Sequence, residues 1–336
     1  MTMVSVSLRR MRTIAGGTIL ALACLFVGVP WAHAQTISLR GAAQGALDYL
    51  STQQLADGSI QHAASETEDY ILGATASGRN PNSLVSSSGK SVYDFLASDI
   101  SDATTSANRT GKLAQALIAG GRNPLSFAGE NILGLLEGPG GTAGGFYDPA
   151  TGSFGGDGNA AFTQANAMLG LIAAHNPAYP VTAKAVAFLK SLQDTSGPGA
   201  GGWEADGFAN TNSTAMALMA LAAVNDHSTD AAAFVFLHTQ QDPASGGFDF
   251  TTLGPFGSSA SDPDSDALVI QGLVAANQNP GSATWTNSSG TALTDILTFR
   301  DQATGGFSFI RGTSPDPFTT SFVPAGLLQA PFPILP

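Results

Sequence analysis

The 336-residue sequence carries a formal net charge of −12 with only 11% charged residues, 40 glycines, 18 prolines and a single cysteine. Its length suits one large domain better than two, and an acidic chain this sparse in charge has no electrostatic reason to seek nucleic acid or anionic lipid. The lone Cys24 falls in the leader described next, so the exported chain would hold no thiol for a disulfide, a nucleophile or a zinc site.

Arg9, Arg10 and Arg12 precede an apolar run from Ile14 to Val29, and Ala32-His33-Ala34 supplies small residues before Gln35. This pattern predicts a signal peptide over 1–34, cleaved before Gln35, and export from the cell. The run is too short for a membrane span, so no integral span is expected after cleavage. Lipid attachment at Cys24 is the alternative, on the weak pattern Ala21-Leu22-Ala23-Cys24. Cleavage removes three arginines and no acid, which leaves the exported chain more acidic still.

From residue 35 to 324 the sequence alternates amphipathic and apolar helical segments. The first pair is ALDYLSTQQLADGSI, with Gln53 and Gly58, followed by TEDYILGATASG; the second is SVYDFLASDISDATT followed by GKLAQALIAGG. LLEGPGGTAGGF then ends at Phe146 and leads to NAAFTQANAMLGLIAA. In the fourth pair Ala185, Phe188, Leu189 and Leu192 fall at i, i+3, i+4 and i+7, a one-sided stripe. A Gly201-Gly202-Trp203 turn follows, and then TAMALMALAAV, which is apolar all round and has to be surrounded by protein. FVFLHTQQDPASGGF leads to DALVIQGLVAA from Asp266, and ILTFRDQATGGF leads to TTSFVPAGLLQ. Asn80-Pro81, Asn123-Pro124, Asn176-Pro177 and Asn279-Pro280 stop inner segments. Beyond residue 324, the Pro-rich tail 325–336 is expected to lie extended along the domain.

An outer helix, a Gly-aromatic loop and an inner helix cannot bury their own apolar surface, so such units stack. Six hairpins predict an all-α fold, an α/α toroid with an inner and an outer ring of helices. The motif residues Phe188-Leu189, Gln193 and Gly201-Gly202-Trp203, repeated with phenylalanine at Gln240 to Phe248 and Gln302 to Phe307, resemble the Gln-Trp repeat of the prenyltransferase and terpene-cyclase superfamily. The resemblance covers nearly all of the exported chain and speaks for architecture alone. Prenyltransferases of that fold hold zinc through Asp, Cys and His, and its thioester domains need a cysteine, so neither activity is expected here. The secreted single toroid is also similar to cobalamin-carrier proteins, which clamp their ligand with a second small domain that has no counterpart here.

Acids crowd the loops between glycine-aromatic motif and inner helix: Asp148, Asp157, Glu204, Asp206, Asp249, Asp262, Asp264 and Asp266. Each can cap a helix N-terminus, and together they can form an electronegative mouth. Asp262-Pro263-Asp264-Ser265-Asp266 is similar to the Asp-x-Asp-Asp motif of class II terpene cyclases, in which the middle acid protonates the substrate; the resemblance makes Asp264 the candidate catalytic acid, flanked by Asp262 and Asp266, although Ser265 stands where the third Asp belongs. Tyr70, Asp148, Asp157, Phe162, Gln164, Trp203, Glu204, Asp206, Met216, Asp262, Asp264, Asp266 and Phe318 are the candidate ligand contacts. Asp148, Asp157 and Asn159 are weak calcium candidates without EF-hand spacing. His62, His175, His227 and His238 show no zinc spacing, and no cofactor is implied. The leading expectation is a monomeric, non-catalytic module that binds a small-molecule or cell-surface ligand in its central cavity; a cyclase-like enzyme and a glycan-active enzyme, the latter needing two carboxylates about 5 to 10 Å apart, are the alternatives.

Overall fold

The structure is a computed structural model and describes residues 37–155, 160–205, 207–254, 257 and 260–336. The leader, its cleavage site, Asp157, Asn159 and Asp206 lie outside the described residues. The helices in chain order are α1 (Leu39–Thr52), α2 (Ala64–Ser77), α3 (Val92–Ser98), α4 (Ile100–Ala103), α5 (Ala107–Ala119), α6 (Ile132–Leu136), α7 (Ala160–Ala174), α8 (Ala183–Ser191), α9 (Thr211–Ala223), α10 (Asp230–Gln240), α11 (Pro263–Ala275), α12 (Ala292–Asp295) and α13 (Pro317–Leu327). A small hairpin of β1 (Trp203–Ala205) and β2 (Phe208–Asn210) enters α9, with Trp203 opposite Asn210.

The apolar segments form a closed inner ring. α2 packs on α5, α5 on α7, α7 on α9, α9 on α11, α11 on α13, and α13 returns to α2. The amphipathic segments α1, α3 with α4, α6, α8, α10 and α12 precede them one by one, so six hairpins build an α/α toroid. The burial pattern explains the division of labour: ten residues of α9 are buried against five of α1. Small residues bring the inner helices close, and a Cβ on Gly111 would sit 2.4 Å from the Asn166 carbonyl of the next inner helix.

The repeated glycines work at two levels. Gly58, Gly201, Gly246 and Gly305 all take left-handed φ between 84° and 96°, a region that costs an L-residue about 1–2 kcal/mol. A Cβ at any of them would also strike the backbone of the next outer segment: Ser91 at 2.2 Å, Ala232 at 2.1 Å, Gly290 at 2.3 Å and, closing the ring onto α1, Gly45 at 2.7 Å. One residue thus both turns the loop and docks each repeat on its neighbour.

The glutamine of the motif holds that loop. Gln193 Nε2 donates to the Gly201 carbonyl at 2.9 Å, Gln241 to Gly246 at 3.0 Å and Gln54 to Gly58 at 3.1 Å. The working glutamines are therefore Gln54 and Gln241, each one residue beyond the positions Gln53 and Gln240 suggested by sequence spacing. In the sixth repeat Arg300, not Gln302, occupies the bridge to Phe307. The third repeat closes on Phe154, not Phe146: Gly152 abuts Lys184 of α8, and the Phe154 amide is held by α7.

Residues after α13 depart from the expected course. Helix α13 continues through Pro324 to Leu327, past the expected start of the tail at 325, because Gly73 on α2 leaves room for the proline ring. Gln329 then takes φ 52°, as His175, Asn225 and Asn277 do after other inner helices, and the chain turns back toward the ring axis.

Candidate functional site

In five repeats a large apolar loop residue, isoleucine in the first and aromatic in the others, donates its backbone N–H to one side chain in the first turns of the inner helix. Ile60 donates to Thr67 (2.9 Å), Phe154 to Gln164 (2.8 Å), Trp203 to Thr214 (3.0 Å), Phe248 to Asp266 (2.7 Å) and Phe307 to Thr320 (2.9 Å). In the second repeat, which lacks such a loop, Thr110 turns back onto the Ser106 carbonyl instead. These six residues give the inner helices a common register.

Two residues beyond each of them stands a side chain on the ring axis: Asp69, Lys112, Asn166, Met216, Leu268 and Phe322, one from every inner helix. Three adjacent helices supply the polar half of this layer and the other three the apolar half. Lys112 Nζ pairs with Asp69 at 2.7 Å, with Asp69 only 6% exposed, and lies 5.5 Å from the Phe322 ring centroid. Asn166 links Gln115 and Asn108 in an amide chain at 3.1 and 2.7 Å. Below the layer the axis is almost filled, with a void of about 30 Å³ bounded by Leu72, Gln115, Gln271, Ala325 and Phe332.

Above the layer, toward the helix N-termini, the axis opens into a hollow of about 460 Å³ between α2, α5, α7 and α13. Ser65, Glu68, Asp102, Asn108, Arg109, Phe162 and Phe322 are among its walls, with Lys112 and Asn166 as part of its floor. Arg109 pairs with Asp102 at the edge. Glu68 is 2% exposed, and its Oε1 has no partner among the described residues. Burial pushes its carboxyl up to about 8, against the opposing pull of Lys112, so at neutral pH Glu68 holds its proton and can donate a hydrogen bond.

The acidic run at α11 separates into three roles. Asp262 is the N-cap: it accepts the Ser265 amide at 2.8 Å. Asp266, with no exposed surface, is the partner of Phe248. Burial, then the facing Asp295 carboxylate, raises it well above the usual carboxylate range. Asp264 has neither task. It is 6% exposed, its Oδ1 has no partner among the described residues, and burial followed by Asp262, Asp316 and Asp69 raises it well above the usual range. The electronegative mouth expected of these acids is not open to water at this helix: Asp262 and Asp264 are each 6% exposed and Asp266 is fully buried. The hollow carries Arg109 and Lys112 beside its acids, so its walls are mixed in charge.

Other expected contacts disperse. Phe162 and Met216 border the axis, and Phe318 stands 51% exposed near the same end, edge-on to Phe322 with centroids 5.3 Å apart. Tyr70 is a core residue at 4% exposure. Gln164 is spent on Phe154, Gly152 and Ala185. Trp203 is fully buried, its indole N–H donating to the Leu189 carbonyl at 2.7 Å, so it holds the fourth hairpin together and faces no cavity. Glu204 borders a separate surface hollow with Asp194; burial and then that carboxylate raise it. Asp148 holds its own turn through the Ala150 amide and the Thr151 hydroxyl, bonds that lower its pKa. Among the described residues no three His, Cys, Asp or Glu side chains are grouped to hold a metal ion. Glu68, Asp69, Arg109, Lys112 and Asn166 carry no motif that singles them out in sequence. Aligning the inner segments on Thr67, Thr110, Gln164, Thr214, Asp266 and Thr320 would have exposed the column of Asp69, Lys112 and Asn166.

Among the described residues no helix is long and apolar enough to cross a membrane. No family model matches the sequence, and no curated protein matches it. Among solved structures the chain is similar to Candida albicans protein geranylgeranyltransferase-I complexed with GGPP, at 14% identity over 84% of this chain and 83% of that one, with a TM-score of 0.45. The assignment of an α/α toroid stands on the closed ring of inner helices.

Proposed function

We propose that this chain is a non-catalytic binding module that receives a small ligand in the hollow above the axial layer. The single observation that carries the reading is the buried Glu68 carboxyl, whose Oε1 has no partner among the described residues, lining with Lys112 and Asn166 a space of about 460 Å³, within the roughly 300–1,000 Å³ usual for ligand pockets. A polar group of the ligand would meet Glu68, Lys112 and Asn166, and an apolar face would meet Phe162 and Phe322. Export by the leader would place the ligand outside the cell, and the module would work as a monomer.

Native mass spectrometry of the exported protein, released into an acetate buffer, tests this. A co-purifying small molecule is expected in the wild type and lost in Lys112→Met and Glu68→Leu variants that still melt in one transition. Equal retention by wild type and variants would overturn the reading, as would a wild-type hollow that fails to take up any member of a metabolite library.

A second reading, a class II cyclase-like enzyme with Asp264 as its acid, is favoured by one observation. Asp264 alone of the three aspartates has no structural task, and its carboxyl is dry. Against it, Asp264 borders neither the axial void of about 30 Å³ nor the hollow of about 460 Å³.

A further inference from the structure

At the lower end of the axis the chain's own Phe332 borders the void, while Leu335 and Pro336 beyond it are exposed. After the left-handed Gln329, the Ala330 carbonyl accepts from Gln271 Nε2 on α11 at 2.9 Å, and the Phe332 amide points at the Met219 sulfur on α9 at 3.3 Å. The side chain of Phe332 then borders the axial void together with Leu72, Met216, Leu268 and Ala325, and Ile334 is buried nearby at 6% exposure. Pro331, Pro333 and Pro336 have no N–H, and residues 331–336 make no backbone–backbone hydrogen bond with a described residue. The segment is therefore seated by the Ala330 amide on the Ala325 carbonyl, by two side-chain bonds and by apolar contact. It can leave without breaking a ladder or unwinding α13.

We propose that segment 330–336 is a displaceable stopper of the axial cavity, and that the place held by Phe332 is a binding site for an apolar, ring-sized group of a ligand. The void beside Phe332 and the hollow above share Lys112, Phe162, Asn166 and Phe322 as walls. With Phe332 withdrawn, the polar hollow continues downward into an apolar shaft lined by Leu72, Met216, Leu268 and Ala325. The stopper is then a competitor in the same molecule: a ligand's apparent affinity is reduced by the fraction of molecules in which the seat is vacant. This inference does not depend on the hollow having a ligand of its own.

The probe is N-phenyl-1-naphthylamine, an apolar dye that fluoresces when shielded from water. Phe332→Ala in the full chain should bind it about tenfold or more tightly than wild type, since a stopper seated nine-tenths of the time costs that factor. Deletion of 331–336 should do the same, and the synthetic peptide Ala-Pro-Phe-Pro-Ile-Leu-Pro should compete the dye from both. The dye reads the seat of Phe332 and the mass spectrum reads the contents of the hollow, so the two proposals fail separately. Should the deletion not fold, Phe332→Ala and Gln271→Ala, which keeps the ring and removes the tether, remain as tests. A folded Phe332→Ala protein with no gain in dye binding, or a gain the peptide cannot reverse, would overturn the stopper.

Discussion

Asp266 accepts the backbone N–H of Phe248 at 2.7 Å, the same bond that Thr67, Thr214 and Thr320 accept from Ile60, Trp203 and Phe307. A carboxyl therefore stands where three other repeats use a hydroxyl. Burial, and then its neighbour Asp295, which is held by Arg311 at 2.6 Å and by Ser261, raise Asp266 well above the usual carboxylate range. Asp266→Thr should accordingly preserve the fold and gain stability as pH rises, because it removes a buried acid and keeps the acceptor. Asp266→Leu should cost about 1–3 kcal/mol, the penalty of leaving a buried amide unpaired. Urea denaturation at pH 6 and pH 8.5 separates the two; a Thr variant as damaged as the Leu variant would refute the shared role.

Gly201 and Gly197 both take positive φ, 94° and 73°, yet only Gly201 is crowded: a Cβ added there would stand 2.1 Å from the Ala232 carbonyl, while one on Gly197 would meet nothing within 4 Å. Gly197→Ala should cost only the conformational term of about 1 kcal/mol. Gly201→Ala adds a clash with the next outer helix and should cost about 2 to 4 kcal/mol, strained φ and overpacking together. Similar melting temperatures for the two variants would mean that the loop does not dock the repeats.

Buried carboxyls set the pH dependence. Burial raises Glu68 to about 8 and both Glu137 and Asp249 to about 7, the last with help from Asp242 and other nearby carboxylates. Each native group keeps a proton that the unfolded chain releases above about pH 4 to 4.5. The folded state thus binds more protons between those values, and stability falls as pH rises. Their contribution is complete below about pH 4 and is lost progressively as pH rises from there through 7 and 8. The melting temperature should be higher at pH 5 than at pH 9, and Glu68→Gln should flatten part of that fall. A wild-type melting temperature that climbs from pH 5 to pH 9 would contradict these shifts.

The fold was legible because its signal is periodic. Outer segments such as 185–192 carry a one-sided stripe, inner ones such as 214–224 are apolar all round, and the glycines recur with a fixed structural duty. Exact register was not legible: Gln53 and Gln54, or Gln240 and Gln241, are adjacent identical residues, and only the bond to Gly58 or Gly246 tells which one works. The site was harder still. Asp262, Asp264 and Asp266 stand out as a run in sequence, yet the helix splits them into a cap, a buried acid with neither duty and a core acceptor. Glu68, Lys112 and Asn166 are unremarkable letters in three separate repeats, and closure of the ring brings them together. Trp203 draws the eye in sequence and is packing: Trp203→Ala should cost about 3–5 kcal/mol, as buried aromatic truncations do, measurable as a lowered melting temperature.

The sharpest test between module and enzyme falls on Asp264. A class II acid needs a protonated carboxyl and a substrate-sized apolar chamber beside it. Asp264 meets the first condition, dry and well above the usual carboxylate range; against the second, it borders neither the void of about 30 Å³ nor the hollow of about 460 Å³. As a non-catalytic group it caps nothing, since Asp262 holds the Ser265 amide, so Asp264→Asn should change stability by less than about 1 kcal/mol at neutral pH, whereas Asp262→Ala should lose about 0.5–2 kcal/mol with its cap. Purified wild type should show no turnover of squalene or prenyl diphosphates, with or without deletion of 331–336 to widen the shaft. Cyclised product from either protein, abolished by Asp264→Asn at an unchanged melting temperature, would make Asp264 a catalytic acid and replace the binding module with an enzyme.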